Sequence, residues 1–285
     1  MSRSSKLILS IIGIIILALG GGFFGSKMAG GGGGTASASG GAASGSWINA
    51  IKKSGQLRVG IAVAAPMTAT QPDGTLGGPL VIPMQNLAKQ LHVKFVPVAT
   101  TWGNIVAGLQ AGRYDAAAYL DNTLERATSI QFSNPVLTYQ AVFVVKADSP
   151  YTTSPQVFDA GQPIASAQGA TPDLAAAAAG GKMLEVADYA GATAALKVDR
   201  AIAVAVDLPT AEGIVQQDSS LKIVVPDPVF YQSGSGFGLP ESIDPRSLQL
   251  VNIAILDAQD YGDMTAAYKK VGYREINSLG DWQKR

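Results

Sequence analysis

Short apolar runs alternate with amphipathic segments along residues 47–285. Short apolar runs are typical of buried strands, whereas apolar residues three or four positions apart are typical of helices that cover a sheet. Strands that alternate with helices predict βαβ units and parallel-rich sheets. The predicted strands cover residues 57–63, 93–98, 116–120, 141–146, 163–167, 201–206, 221–225 and 235–239, and the predicted helices cover 47–53, 81–91, 105–110, 172–179, 208–217, 244–260 and 264–271.

The first 46 residues differ from this pattern. Arg3 and Lys6 precede an apolar stretch over residues 7–24, and a charged flank before an apolar run predicts an export signal. The stretch is about as long as the ~17 residues that a membrane helix needs, so residues 1–28 are interpreted as a signal peptide or an uncleaved membrane anchor. Residues 29–46 are a Gly/Ala/Ser tract, which predicts a flexible linker with a reach of about 25 Å.

Composition excludes several classes of function. Lys+Arg and Asp+Glu both number 21, so the formal net charge is zero and a nucleic-acid partner is not expected. The sequence has no cysteine and one histidine, His92, which excludes a disulfide framework, a thiolate site and a His-based zinc site. No metal, no cofactor and no catalytic residue is predicted.

Several short motifs occur in a fixed order along the chain. The matching segments are residues 57–61 with 73–78, residues 108–115, 123–127 and 132–135, and residues 206–210. Taken together they resemble the family 3 solute-binding proteins of polar amino-acid ABC transporters, and the resemblance covers residues 47–285. It implies an α/β fold of the type II periplasmic binding architecture, in which two lobes, each a mixed, mostly parallel sheet flanked by helices, are joined by a two-segment hinge.

The resemblance also implies boundaries for the lobes. Lobe 1 would take residues 47–137 and 234–285, and lobe 2 residues 138–233. The hinge crossovers would lie near residues 137–140 and 231–234, and the Ser-Gly-Ser-Gly sequence at 233–236 favours a flexible second crossover on local grounds.

Arg126 and Asp207 are the principal candidate ligand residues. Thr123 is predicted to cap a helix that begins at Leu124, which places Arg126 in the first turn, where an anion is favoured. By resemblance Arg126 would bind the α-carboxylate of an amino acid, and Asp207, after a predicted strand, its α-amino group. The alternatives are an ion pair of Arg126 with Glu125 or another acid and a purely helix-capping role for Asp207.

Three further residues are predicted by the same comparison. Gly169 and Thr171 lie in a loop before Pro172, where Thr171 as N-cap would present backbone donors to the carboxylate; a plain capped helix is the alternative. Trp102 matches an aromatic residue that stacks on the ligand, and a place in the core is its alternative.

The chain departs from the family pattern at two places. Around Met67 the family has an aromatic pair, so Met67 is predicted to line a site whose aromatic wall is reduced to Trp102 and Tyr119. Asp121 stands where serine or threonine is common. A buried carboxylate needs a partner, so a cationic ligand such as lysine, arginine or ornithine is attractive, although Asp121 could instead bond to its own loop.

These observations predict a monomeric extracytoplasmic protein that binds a small zwitterion by hinge closure and delivers it to a membrane permease. It would be periplasmic, with a tether through residues 7–24 if the anchor is kept. Two other functions stay open: a ligand-sensing domain, and a dehydratase of prephenate or arogenate type, for which Asp121, Asp207 and Glu125 are the acids available.

Overall fold

The computed structural model describes residues 45–273, and the predicted leader and nearly all of the predicted linker lie outside them. Within these residues no helix is long and apolar enough to cross a membrane. The strands are β1 Gln56–Ile61, β2 Ala69–Thr70, β3 Leu76–Gly77, β4 Lys94–Ala99, β5 Ala116–Asp121, β6 Ile130–Phe132, β7 Leu137–Lys146, β8 Pro163–Ala167, β9 Lys182–Val186, β10 Ala203–Asp207, β11 Leu221–Val224 and β12 Gln232–Pro240. The α-helices are α1 Ser46–Ser54, α2 Ile82–Gln90, α3 Ile105–Gln110, α4 Leu124–Ala127, α5 Ser154–Asp159, α6 Thr171–Ala178, α7 Tyr189–Lys197, α8 Leu208–Gln217, α9 Pro245–Asp260 and α10 Asp263–Lys270.

The main sheet contains two runs of parallel strands. One run has the order β4-β1-β5 and the other β10-β8-β9, and helices follow the strands within each run. These are the βαβ units that the alternating pattern predicts, so the α/β class is confirmed. We refer to β1, β4, β5 and β6 as the first strand group and to β8–β11 as the second.

Two long strands, β7 and β12, connect the strand groups. The start of β7 pairs antiparallel with β12, from Leu137 opposite Ser235 to Gln140 opposite Gln232. The rest of β7 pairs with β10 and β11, while the rest of β12 pairs with β5 and β6. The chain therefore crosses between the strand groups twice, at two adjacent antiparallel segments.

The start of the first helix differs from the prediction. The helix begins at Ser46, one residue earlier than predicted, and its N-cap Gly45 has no capping side chain. Instead the carboxylate of Asp244, the N-cap of α9, accepts hydrogen bonds from the backbone N–H groups of Gly45 and Trp47 at 2.7 and 3.3 Å. Bonds from Ser247, Gly45 and Trp47 outweigh the effect of burial and lower the pKa of Asp244. One carboxylate thus caps two helices that are far apart in sequence.

The motif at residues 108–115 has a packing role. Tyr114 is buried and its hydroxyl donates to the carbonyl of Ile105 at 2.5 Å. A Cβ atom added to Gly60 would lie 2.6 Å from the Tyr114 ring, and one added to Gly108 would overlap its hydroxyl. Asp115 binds the guanidinium of Arg58 at 2.6 Å. This segment therefore holds α3 against β1 and β5, away from any ligand.

Candidate ligand site

Six of the predicted site residues line one small cavity of about 10 Å³, roughly the room that one water needs. The cavity lies where β5 and α4 face the ends of β8 and β10. Its lining residues are Trp102, Tyr119, Asp121, Arg126, Tyr139, Ala170, Thr171, Pro172, Tyr189 and Asp207.

Arg126 reaches this cavity from the short helix α4. The Thr123 side chain accepts from the Arg126 backbone N–H at 3.2 Å, so the predicted cap is confirmed. The guanidinium donates to Thr171 Oγ1 at 3.2 Å, to the Gly169 carbonyl at 3.3 Å and to the Asp121 carbonyl at 3.4 Å. The carboxylate of a ligand could replace these acceptors. Gly169 and Thr171 follow β8, so two of the bonds connect α4 to the second strand group.

Asp207 closes the opposite side of the cavity. It is the last residue of β10 and the N-cap of α8, and it accepts from the Thr210 N–H at 2.9 Å and from the Tyr119 hydroxyl at 2.8 Å. The side chain is buried, and burial raises the pKa of Asp207 to about 6, against the opposing effect of the Thr210 and Tyr119 bonds. The capping role and the position in the cavity therefore coexist.

Asp121 is a second buried carboxylate, at the end of β5. Its Oδ2 accepts from the Tyr139 hydroxyl at 2.6 Å, whereas its Oδ1 is buried and has no hydrogen bond of good geometry. Burial raises the pKa of Asp121, although the nearby hydroxyls of Thr171 and Tyr139 and the charge of Arg126 oppose that rise. With both acids ionised, two carboxylates face one guanidinium, so the site favours an additional cation.

Aromatic rings fill most of the wall. Trp102 packs edge-on against Tyr119 with ring centroids 6.1 Å apart, and Tyr119 does the same against Tyr139 at 6.2 Å. The Trp102 ring is largely buried and its Nε1 donor has no partner among the described residues. Trp102 therefore packs in the core and also lines the cavity, and its stacking on a ligand stays a prediction.

Sequence reasoning missed Tyr139 and Tyr189. Tyr139 lies in β7, where Leu137 and Tyr139 are buried and the residue between them is exposed, an alternation visible in the sequence. Tyr189 is the first residue of α7, for which the N-cap Asp188 was the available signal, since it accepts from the Gly191 N–H at 2.7 Å.

The loop before α6 differs from the prediction by one residue. Ala170 is the N-cap and Thr171 is the first helical residue, so Thr171 does not cap the helix and its hydroxyl faces Arg126. Asp173 Oδ2 accepts from the Gly169 N–H at 3.2 Å. Gly169 has φ +75°, and a Cβ atom there would lie 2.8 Å from Gly103 Cα. The glycine thus allows a close backbone approach beside Arg126.

Met67 does not line this cavity. The chain turns after β1, with Ala64 and Thr68 forming an isolated antiparallel bridge, and this turn directs Met67 into the core, where it is fully buried. A packing role replaces the predicted ligand contact. Among residues 45–273 no cluster of His, Cys, Asp and Glu side chains could hold a metal ion.

Solved structures with this fold bind amino acids. A truncated, arginine-bound form of ArgBP from T. maritima is 25% identical with a TM-score of 0.68, and the match covers 73% of this chain and 99% of that chain. An ancestral amino acid-binding protein, AncCDT-1, a precursor of cyclohexadienyl dehydratase, is 27% identical with a TM-score of 0.70 over 78% and 98% of the two chains. The fold is therefore that of the type II periplasmic binding proteins.

The sequence places the chain within that class. Residues 57–272 match the family model of the bacterial extracellular solute-binding proteins, family 3, and the chain belongs to that family. A curated relative, the "Probable amino-acid ABC transporter periplasmic-binding protein y4tE" of Sinorhizobium fredii, is 26% identical over 199 residues. That match spans 64% of this chain and 64% of the relative's own length.

Proposed function

We propose that this protein is the extracytoplasmic binding component of an amino-acid ABC transporter. The observation that carries the proposal is the meeting of Arg126 and Asp207 at one buried cavity, from opposite strand groups. A guanidinium suits a carboxylate and a carboxylate suits an ammonium, so the pair is complementary to the two ends of a zwitterion. Relatives that bind amino acids support the same conclusion.

Ligand binding would close the cleft about a hinge in β7 and β12. The paired segments 137–140 and 232–235 are where the chain passes between the strand groups, which supports crossovers near residues 137–140 and 231–234. Lobe 1 would then comprise residues 47–137 and 234–285, and lobe 2 residues 138–233. A two-segment hinge lets both lobes move as rigid bodies.

The ligand would be a cationic amino acid. Asp207 is complementary to the α-ammonium group, which leaves Asp121 as the partner of a second positive charge. Asp121 Oδ1, which has no hydrogen bond of good geometry, supports this assignment because a buried carboxylate oxygen gains from a charged donor.

The remaining assignments follow from this role. The protein would act outside the cytoplasm as a monomer, dock on a membrane permease, and catalyse no reaction. Residues 7–24 would serve as its export signal or as a membrane tether, with residues 29–46 as the linker.

A thermal-shift screen against the twenty amino acids, followed by calorimetry, tests the proposal. A ligand present at 100 times its Kd should stabilise the protein by about 2.7 kcal/mol. Arg126→Ala should abolish binding while the fold is kept, and the exposed Arg113→Ala should bind as the wild type does. Wild-type affinity in Arg126→Ala, or no response to any amino acid, would contradict the proposal.

One observation favours a dehydratase as the second candidate. AncCDT-1 is a precursor of cyclohexadienyl dehydratase, and Asp207 in this chain has the raised pKa that a general acid needs. Adding prephenate and arogenate to the purified protein separates the two functions. Turnover that Asp207→Asn abolishes would establish the enzyme, whereas stabilisation by amino acids without turnover would establish the binding protein.

A further inference from the structure

The hydroxyl of Tyr119 donates to Asp207 Oδ1 at 2.8 Å. Tyr119 belongs to β5 of the first strand group and Asp207 to β10 of the second, so this bond spans the cavity. Both side chains are buried, which excludes the water that would otherwise compete for the bond.

The backbone of β5 is shaped to hold Tyr119 in this position. Opposite β12, Leu120 pairs with Gly236 and Ala117 pairs with Gly238, so two residues of β5 face a single residue of β12. Tyr119 lies in this bulge with φ +59°, a left-handed conformation that is unfavourable for a tyrosine. Bulges of this kind redirect a side chain beside a functional site, and here the redirected group is the phenol.

Asp207 is also the group that suits a ligand ammonium. Oδ1 already accepts from Thr210 and Tyr119, and Arg126 already donates to Thr171 and Gly169. One oxygen of Asp207 and part of the Arg126 guanidinium are therefore engaged by the protein's own polar groups. The cavity of about 10 Å³ has no room for an amino acid, so one can enter only if wall groups, the Tyr119 ring among them, move apart.

We propose that Tyr119 is an intramolecular latch and competitor: it takes the place of the ligand ammonium at Asp207 and bridges the two lobes in the ligand-free protein, until a ligand displaces it and closes the lobes around itself. This inference rests on the binding function proposed above. Burial, and next the charge of Asp207, keep the pKa of Tyr119 well above its usual value, so the phenol remains a donor at physiological pH.

The latch gives Tyr119 a specificity role. A ligand gains the bond to Asp207 only after the Tyr119 hydroxyl has lost it. A ligand whose hydrogen-bond donor is weak therefore gains little net binding free energy. A cationic amino acid also reaches Asp121 Oδ1, which Tyr119 does not occupy, and it is the ligand class best able to displace the latch.

The test compares Tyr119→Phe with Tyr114→Phe. Each removes one buried hydroxyl and keeps the ring, but the Tyr114 hydroxyl bonds the Ile105 carbonyl, outside the cavity and the hinge segments. Small-angle scattering without ligand should give a larger radius of gyration for Tyr119→Phe than for the wild type, and the wild-type radius for Tyr114→Phe. A wild-type radius for Tyr119→Phe overturns the latch.

Calorimetry with L-arginine as the probe tests the competition. Tyr119→Phe should bind L-arginine about tenfold more tightly, because the carboxylate no longer has to release the phenol. Unchanged or weaker binding overturns the competition and makes Tyr119 an ordinary ligand contact. If none of the twenty amino acids binds either protein, the proposed function fails, and the scattering comparison still decides the latch.

Discussion

The backbone of Gly213 lies directly against the ring of Pro66. Gly213 is in α8, which follows β10 of the second strand group, and Pro66 is in the turn after β1 of the first. A Cβ atom added to Gly213 would lie 2.6 Å from Pro66 Cδ and 3.0 Å from the Ala65 carbonyl oxygen. At Gly213 and at Gly169 the absence of a side chain lets segments that follow strands of different groups approach closely.

Gly213→Ala should separate ligand affinity from stability. The added methyl group would keep α8 away from the turn at Pro66. Affinity for amino acids should therefore fall by about tenfold or more, which corresponds to about 1.4 kcal/mol. Alanine also favours the helix by roughly 0.5–1 kcal/mol, which offsets part of the overpacking cost, so the free energy of unfolding should fall by less than the binding free energy does. Calorimetry and urea unfolding measure the two effects. Gly191→Ala is the control, because a Cβ atom there makes only ordinary contacts, the nearest at 3.4 Å; equal affinity losses in both variants would contradict the role of this approach.

Ligand affinity should depend on pH through Asp207. Burial raises its pKa to about 6, and an ammonium ion binds only the ionised form. Below pH 6 the ligand must displace a proton, so affinity should fall by about tenfold for each further pH unit. Calorimetry between pH 5 and 8 tests this, and a flat profile would place the ammonium elsewhere. Asp207→Asn should bind weakly and without this dependence.

The same carboxylate should affect stability in the opposite direction. Its folded-state pKa lies above the ordinary value of 3.8, so the folded protein binds more protons than the unfolded chain between about pH 4 and 6. The free energy of unfolding of the ligand-free protein should therefore fall as pH rises through this window, by up to about 3 kcal/mol from Asp207. Asp173, whose pKa burial also raises to about 6, acts in the same direction.

Urea unfolding from pH 4 to 7 measures this effect. Asp207→Asn keeps an acceptor for the Thr210 N–H and removes the titration, so it should reduce the slope and leave the parts that belong to Asp173 and Asp121. An unchanged slope in this variant would show that Asp207 does not titrate near pH 6.

The sequence predictions are most accurate for elements whose ends are marked by Gly or Pro. Helices 105–110 and 208–217 and strand 163–167 match the structure, and Gly or Pro residues lie at or near their boundaries. The unit β9–α7 was missed because β9 is an edge strand with half-exposed residues, so its sequence lacks an apolar run. Arg126 and Asp207 were recognised from their motifs. The alternation in β7 and the Asp188 cap indicate only the elements to which Tyr139 and Tyr189 belong, and it is the pairing of β7 and the packing of α7 that bring both residues to the cavity.

Gly108→Ala should destabilise the protein without a direct effect on the ligand site. A Cβ atom at this position would overlap the hydroxyl of Tyr114, whose ring is buried between α3 and β1. Overpacking of this kind typically costs about 1–3 kcal/mol. Urea unfolding should show that loss, and calorimetry at a temperature where both proteins are folded should show unchanged affinity. A stability equal to the wild type would mean that Tyr114 can move aside.

Asp121→Asn should change which amino acids bind. The variant keeps the shape and an acceptor for the Tyr139 hydroxyl but loses the second buried negative charge. Affinity for L-arginine and L-lysine should fall by about tenfold or more, because a charged hydrogen bond contributes roughly 1.5–3 kcal/mol. Affinity for neutral amino acids should be unchanged or higher, since Asn imposes no need for a cationic partner. The ratio of the two affinities, measured by calorimetry at pH 7.5, is the decisive quantity because it cancels any general effect on closure. An unchanged ratio would mean that Asp121 bonds only to neighbouring residues of the cavity wall, such as Tyr139. The cationic side chain of the ligand would then have to be recognised by another group.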